Sequence, residues 1–152
     1  MRTLNKDIKL IQTLKEAHGQ LASGTFYFGD PWEFCASQNI QYPFLGLRFI
    51  NSTVEGKIHT RNFNIFLCDR VKKGELNETE VISDLELVML DLHNQLRLNL
   101  EGNDPTTTPP ATVTPNPSIT PFTERFEDEV SGVEMNIGII QFNDRQTCNI
   151  PT

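Results

Sequence analysis

Leu4, Ile8, Ile11 and Leu14, supported by Leu10, Ala17 and Leu21, recur at helical intervals, while Lys6, Asp7, Lys9, Lys15 and Glu16 fill the gaps. This period predicts an amphipathic helix over residues 4–21, with Gly19 and Gly24 bracketing its end. The next segment, TFYFGDPWEFCASQNIQYP, holds no sustained period and predicts a structured loop. Its aromatic residues Phe26, Tyr27, Phe28, Trp32 and Phe34 are costly to leave in water, so they either cap the core or meet a neighbouring subunit. Of these, Phe26, Phe28, Trp32 and Phe34 are the candidate partner contacts.

Phe44, Leu45, Leu47, Phe49 and Ile50 form a short apolar run after Pro43, which predicts a strand over residues 43–50. A polar stretch, 51–57, contains Gly56, and an extended pattern resumes from Ile58 towards Val71, completing an antiparallel hairpin. After a turn over residues 72–76, Asn77 and Glu80 have the spacing of a capping box and predict the start of a second helix. Val81, Leu85, Val88, Leu92 and Leu96 line one face of it, joined by Leu87, Met89 and Leu90, and it should run to about Leu98. Residues 105–121, PTTTPPATVTPNPSITP, are too rich in proline for a helix or a regular sheet to persist. They predict a long loop, either a surface insertion or an arm that orders against a neighbour. Beyond it, Val133, Met135, Ile137 and Ile139 alternate with Glu134, Asn136 and Gly138, predicting a strand over residues 132–143.

The predicted whole is one α+β domain over residues 1–152, a small antiparallel sheet packed on two helices, with the Pro/Thr-rich loop 105–121 within it. Net charge changes the picture. The chain carries −7 overall, yet residues 1–76 sum to +3 and residues 77–152 to −10. An acidic balance argues against a surface that grips nucleic acid, because that affinity comes mainly from Lys and Arg. The acids of the second helix, Glu78, Glu80, Asp84, Glu86 and Asp91, either solvate its outer face and complement the helix dipole, or face a partner of opposite charge.

Catalytic and metal chemistry lack their usual signatures. His18, His59 and His93 have no second ligand type at metal spacing, and His18 and His93 are expected at polar or helix-end positions. Nucleophile-elbow, Walker and dinucleotide motifs are missing, so no catalytic, cofactor-binding or metal residue is assigned and no enzyme is expected. Glu127, Asp128 and Glu129 are adjacent, cannot converge on one substrate if extended, and predict a solvated turn. Cys35, Cys68 and Cys148 are odd in number and widely spaced, as expected of reduced thiols. Asn51-Ser52-Thr53 and Asn77-Glu78-Thr79 match the glycosylation triplet by chance, since the start has no secretory pattern. No run approaches the ~18 apolar residues of a membrane span, so no membrane association is expected.

The order of these elements, with YPFLGL, TRNFNIFLCDRV, NETEVISDLELVMLDLHNQLR and ITPFTERFEDEVSGVEMNIGIIQF as its segments, resembles the tail-terminator and head-to-tail connector proteins of tailed bacteriophages. The PFTERFEDEVSG stretch before a late strand, followed by a Cys-Asn-Ile-Pro end, is most similar to ring proteins of crAss-like Bacteroidetes phages. Residues 40–151 carry most of the likeness, and the Pro/Thr insertion is longer than the compact form of the family needs. The resemblance implies a tail-terminator-like fold and a structural virion protein of the neck, assembled in the bacterial host cytoplasm. Its copies would form a homo-oligomeric ring between portal and tail, contact other neck or tail proteins, and surround a channel through which DNA passes without specific binding. The acids Glu78, Glu80, Asp84, Glu86 and Asp91 would then face the lumen or the adjacent subunit. A small ligand-binding or regulatory domain, with the aromatic loop as a pocket wall, is the alternative.

Overall fold

Thr3 opens the first helix by accepting the Lys6 amide on its hydroxyl at 3.3 Å, and α1 runs Leu4–Ala17. The computed structural model describes residues 3–30, 40–71, 77–102, 111–125 and 129–142, with only the backbone at 123–125 and 129. α1 stops short of the predicted Leu21 because His18 takes extended dihedrals, φ −82° and ψ 120°. The apolar period outlasts the helix for a simple reason. A turn in which the Leu21 amide donates to the His18 carbonyl at 3.0 Å carries Leu21 into the core, where it is fully buried.

Phe26–Phe28 form β1, a strand where the sequence predicts loop. Three residues are too few to display a period, and β1 is held from outside itself. It pairs in parallel with β2, Phe44–Glu55, in the register Phe26 to Leu45 and Phe28 to Leu47. The sheet is therefore mixed, which corrects the expected all-antiparallel sheet. β2 continues past the predicted Ile50, because Asn51–Glu55 pair with β3, Ile58–Arg70, around a tight turn at Gly56 and Lys57. Gly56 has φ +60°, the left-handed conformation such a hairpin turn favours. Polarity misleads at this point because Asn51–Glu55 of β2 are exposed on both faces and need no apolar alternation. Ile50 is the bulge: Phe49 pairs with Phe63 and Asn51 with Asn62.

The predicted turn at 72–76 lies outside the described residues. The second helix, α2, runs Glu78–Glu101 with Asn77 at its N-cap position, and the Val81 amide donates to the Asn77 carbonyl. The Asn77 side chain makes no capping bond, so the expected capping box does not form although the helix starts where it predicts. Within the predicted loop 105–121, residues 114–118 are loop, but two stretches flanking them are strand. Ala111–Val113 form β4, and Ile119–Arg125 form β5. Pro121 is tolerated because β5 is an edge strand that, among the described residues, pairs only with β6. β6 is Glu129–Phe142, which draws Glu129 of the expected acidic turn into a strand; Glu127 and Asp128 lie outside the described residues.

β6 organises the sheet, whose order is β1-β2-β3-β6-β4. One side of β6 pairs along its length with β3; the other pairs β5 at residues 129–135 and β4 at residues 139–141. Helices α1 and α2 cover one face, where Leu45, Leu47, Phe63, Ile65, Val133, Met135, Ile137 and Ile139 meet Ile11 of α1 and Leu85, Val88, Met89, Leu92 and Leu96 of α2. Side chains of the opposite parity form the outer face. One end of that face is closed by a second cluster of Phe44, Phe66, Cys68 and Val130, with Tyr27, Ile40, Tyr42 and Phe122 packed on it.

One charged pair sits inside this fold. Asp7 of α1 is fully buried, Arg61 of β3 is 9% exposed, and Arg61 Nη1 donates to Asp7 Oδ2 at 3.0 Å. Beside them Gln141 Nε2 donates to His59 Nδ1 at 2.9 Å. Burial first, and then the Arg61 cation, lowers the His59 pKa below its usual 6.5, with Asp7 opposing. His93 corrects another expectation. It is buried rather than at a polar face, and its Nε2 donates to the Thr114 carbonyl at 2.8 Å, tying α2 to the end of β4.

Candidate subunit-interaction surface

α2 has two faces because its apolar residues follow two stripes. Leu85, Val88, Leu92 and Leu96 point into the core. Opposite them, Glu80, Asp84, Leu87, Asp91, Asn94 and Leu98 recur at alternating steps of four and three, and every one is exposed. Leu90 flanks this outer stripe and is exposed as well. Thus Leu87 and Leu90, expected among core residues, face outward instead. Leu87 is 60% and Leu98 52% exposed. The periodicity of the inner stripe does not reach them, and the sequence alone gives no reason for leucine at an outer position.

The five acids singled out by the sequence divide. Glu80, Asp84 and Asp91 share the outer stripe; Glu86 is exposed off its line; Glu78 is half-buried in the first turn, where the helix dipole favours a carboxylate. Asp91 Oδ2 lies 3.5 Å from His18 Nε2, at the end of α1. The aromatic residues separate too. Phe26 packs against the main core and Tyr27 against the second cluster, whereas Phe28 is substantially exposed. Trp32 and Phe34 lie outside the described residues.

The outer face of the sheet carries a second surface. Its middle is polar: Arg48, Asn64 and Asn136 share one row, with Asn64 Nδ2 donating to Asn136 Oδ1 at 2.9 Å, and Asn62 Nδ2 donates to Asn51 Oδ1 at 2.7 Å in the next. Towards the hairpin tip it becomes apolar, where Ile58 stands opposite Phe142 and Thr60 opposite Ile140. Ile58 is 40% and Phe142 55% exposed. A pattern reading misses this patch because Ile140 and Phe142 look like ordinary members of a buried strand.

The far end of α2 is fastened to β4 by charge. The Thr112 hydroxyl donates to the Glu101 carboxylate, and Arg97 Nε donates to Glu101 Oε2 at 3.2 Å. The Thr112 bond is the main cause holding Glu101 below the usual 4.5; burial opposes it, and Arg97 assists. A depressed carboxylate stabilises the fold above its unfolded value, and that contribution is lost as pH falls through the lower folded value. Thr112→Val is therefore expected to lower the thermal midpoint at neutral pH while narrowing its fall between about pH 5 and pH 3, read by unfolding scans across that range.

Between the helices and the sheet, Ile11, Leu14, Ile65, Leu92, His93, Leu96 and Met135 line a cavity of about 10 Å³ available to the centre of a water-sized guest. It is a packing gap, well under the ~300 Å³ of a small-molecule site. Among the described residues no three His, Cys, Asp or Glu side chains are grouped to hold a metal ion, and no helix is long and apolar enough to cross a membrane. Among the described residues the fold class is α+β, a mixed six-stranded sheet with two helices. No protein-family model matches the chain, and no curated protein matches it.

Proposed function

We propose that the chain is a structural subunit of the head-to-tail connector of a tailed bacteriophage, one of several copies forming a ring between portal and tail around the DNA channel. The observation that carries this reading is the outer stripe of α2, where exposed leucines and acids share one side of the helix. Leu87, Leu90 and Leu98 put apolar surface beside those acids on one side of the helix, the mixture that a contact with another subunit uses. The likeness of PFTERFEDEVSG and its following strand to crAss-like ring proteins supplies the kind of assembly. In this reading Glu80, Asp84, Glu86 and Asp91 face the adjacent subunit or the lumen, and Glu78 completes the dipole of the first turn. A sliding duplex is better served by an acidic wall than by Lys and Arg, which would bind it. The protein acts without catalysis, cofactor or metal, in the virion, after assembly in the host cytoplasm.

The test is cryo-electron microscopy of intact particles, combined with Glu80, Asp84 and Glu86 changed together to Lys. We expect a closed ring of this chain between portal and tail, and loss of ring assembly and infectivity in the triple variant. Particles without the chain, or a triple variant that assembles and infects normally, would overturn the proposal.

A further inference from the structure

We infer that two copies of this chain join edge to edge through β2, antiparallel about a two-fold axis at Ser52, so that their sheets run on as one. The inference goes beyond the ring reading and does not rest on it, because a two-fold contact stops at two copies. β1 covers only the first part of the β2 edge. There the Leu45 amide donates to the Thr25 carbonyl and the Gly29 amide to the Leu47 carbonyl, each at 3.0 Å. These bonds fix which residues of β2 turn their main-chain groups away from β3. Alternation, followed through the pairing with β3 and past the bulge at Ile50, gives the same outward direction to Phe49, Ser52 and Val54. Among the described residues nothing pairs with that part of the edge, and Ile50–Glu55 are exposed throughout. Such an edge accepts a further strand.

What selects a second copy is that the edge is complementary to itself. Arg48 and Glu55 are an odd number of residues apart and would point to opposite sides of a regular strand. The bulge at Ile50 shifts the alternation by one, so both stand on the outer face, Arg48 opposite Asn64 and Glu55 opposite Ile58. In the same way Phe49 and Val54 share the inner face, opposite Phe63 and His59. Laid antiparallel on its own copy, with Ile50 left out as the bulge, Arg48 meets Glu55, Phe49 meets Val54, Asn51 meets Thr53 and Ser52 meets Ser52. Every pair shares a face. The outward groups coincide as well, since the Phe49–Val54 and Ser52–Ser52 pairs are the ones able to exchange main-chain hydrogen bonds. Arg48 and Glu55 are exposed and have no ion pair among the described residues, so the contact gives each a partner of opposite charge. Val54, 62% exposed in one copy, packs beside Phe49 of the other. Moving the axis to Asn51 or Thr53 parts both charges from their partners. At Gly56 the second copy turns away into its own β3, which leaves β1 in place.

The experiment uses the full chain. By analytical ultracentrifugation at several hundred micromolar, the parent is expected to form dimers, and in hydrogen exchange the Phe49, Ser52 and Val54 amides should gain protection as concentration rises. Ser52→Pro removes an amide that points away from β3, so it should keep the circular-dichroism spectrum and abolish the dimer. Arg48→Glu and Glu55→Arg, each alone, set like charges against each other across the axis and should weaken dimerisation on the order of tenfold. Mixed, these two variants join acid to base at both ends and should form a heterodimer at about the parental affinity. That readout is specific to this register and does not depend on Ser52→Pro folding. A parent monomeric at these concentrations overturns the inference. So does a dimer in which those three amides exchange unchanged, or a pair of charge variants that associate no better mixed than alone. A ring seen in virions without this dimer would defeat the contact and leave the proposed function standing; the dimer without a ring would do the reverse.

Discussion

Arg61→Ala should lower the stability of the protein by about 3–5 kcal/mol, because it leaves the fully buried Asp7 carboxylate without its guanidinium. Asp7→Ala should cost a similar amount, for the mirror reason. The informative variant is the double replacement, Asp7→Leu with Arg61→Met. A buried ion pair recovers by attraction roughly what its two desolvations cost, so removing both charges together is expected to return most of the lost stability. Urea unfolding of the four proteins, read as midpoint and slope, decides it. If the double variant is as unstable as either single one, the pair is not an isolated couple, and the His59 and Gln141 contact beside it is taking part. If Arg61→Ala alone is neutral, the pair does not clamp α1 to the hairpin at all.

Gly132→Ala should be the most damaging single methyl in the sheet. A Cβ there would stand 1.9 Å from the Leu67 carbonyl oxygen and 2.8 Å from the Cys68 Cα, both backbone atoms of the paired strand β3. Backbone cannot rotate out of the way, so β3 and β6 must separate at that point. Gly46→Ala is the useful contrast. Its Cβ would stand 1.9 Å from the Phe66 ring, a side chain that can turn aside at the expense of its packing against Phe44. We expect Gly46→Ala to cost about 1–3 kcal/mol, as overpacking usually does, and Gly132→Ala to reach or exceed the top of that range. Shortening Phe66 to Leu should relieve much of the first defect and none of the second. Equal destabilisation at the two glycines, or rescue of both by Phe66→Leu, would contradict this account.

Much of the fold is legible in the sequence wherever burial is one-sided. The α1 stripe, the 58–70 strand and the alternation from Val133 to Ile139 each place apolar residues on one face, and each becomes the element it predicts. Errors fall where an element is held from outside itself. β1 has three residues and exists because β2 supplies hydrogen-bond partners; β4 and β5 exist because β6 does, despite the prolines around them. The last five residues of β2, Asn51–Glu55, are legible to neither period nor composition, since they are polar and exposed and only their pairing with β3 makes them strand.

The candidate surface is less legible still. The acids of α2 can be read from the chain, but not which of them lie on the outer side, since that depends on which leucines the core accepts. Leu85 and Leu87 are chemically identical, and only packing tells the buried one from the exposed one. His93 illustrates the same limit, because the Thr114 carbonyl that holds it comes from another part of the chain.

The position of β6 also governs when this molecule can fold. During synthesis the ribosome releases α1, α2 and the β2–β3 hairpin well before β6, yet β6 is the strand that joins β4 and β5 to the free side of β3. Until it emerges, the inner side chains of β3 and α2 lack Val133, Met135, Ile137 and Ile139 of their shared core, and the edge of β3 that β6 will cover is open to any other unfinished chain. Most of the pairing that defines the sheet is long-range in sequence, which slows folding and prolongs that exposure. A nascent chain arrested before residue 129 should therefore be protease-sensitive throughout, and gain protection in a single step as β6 clears the exit tunnel.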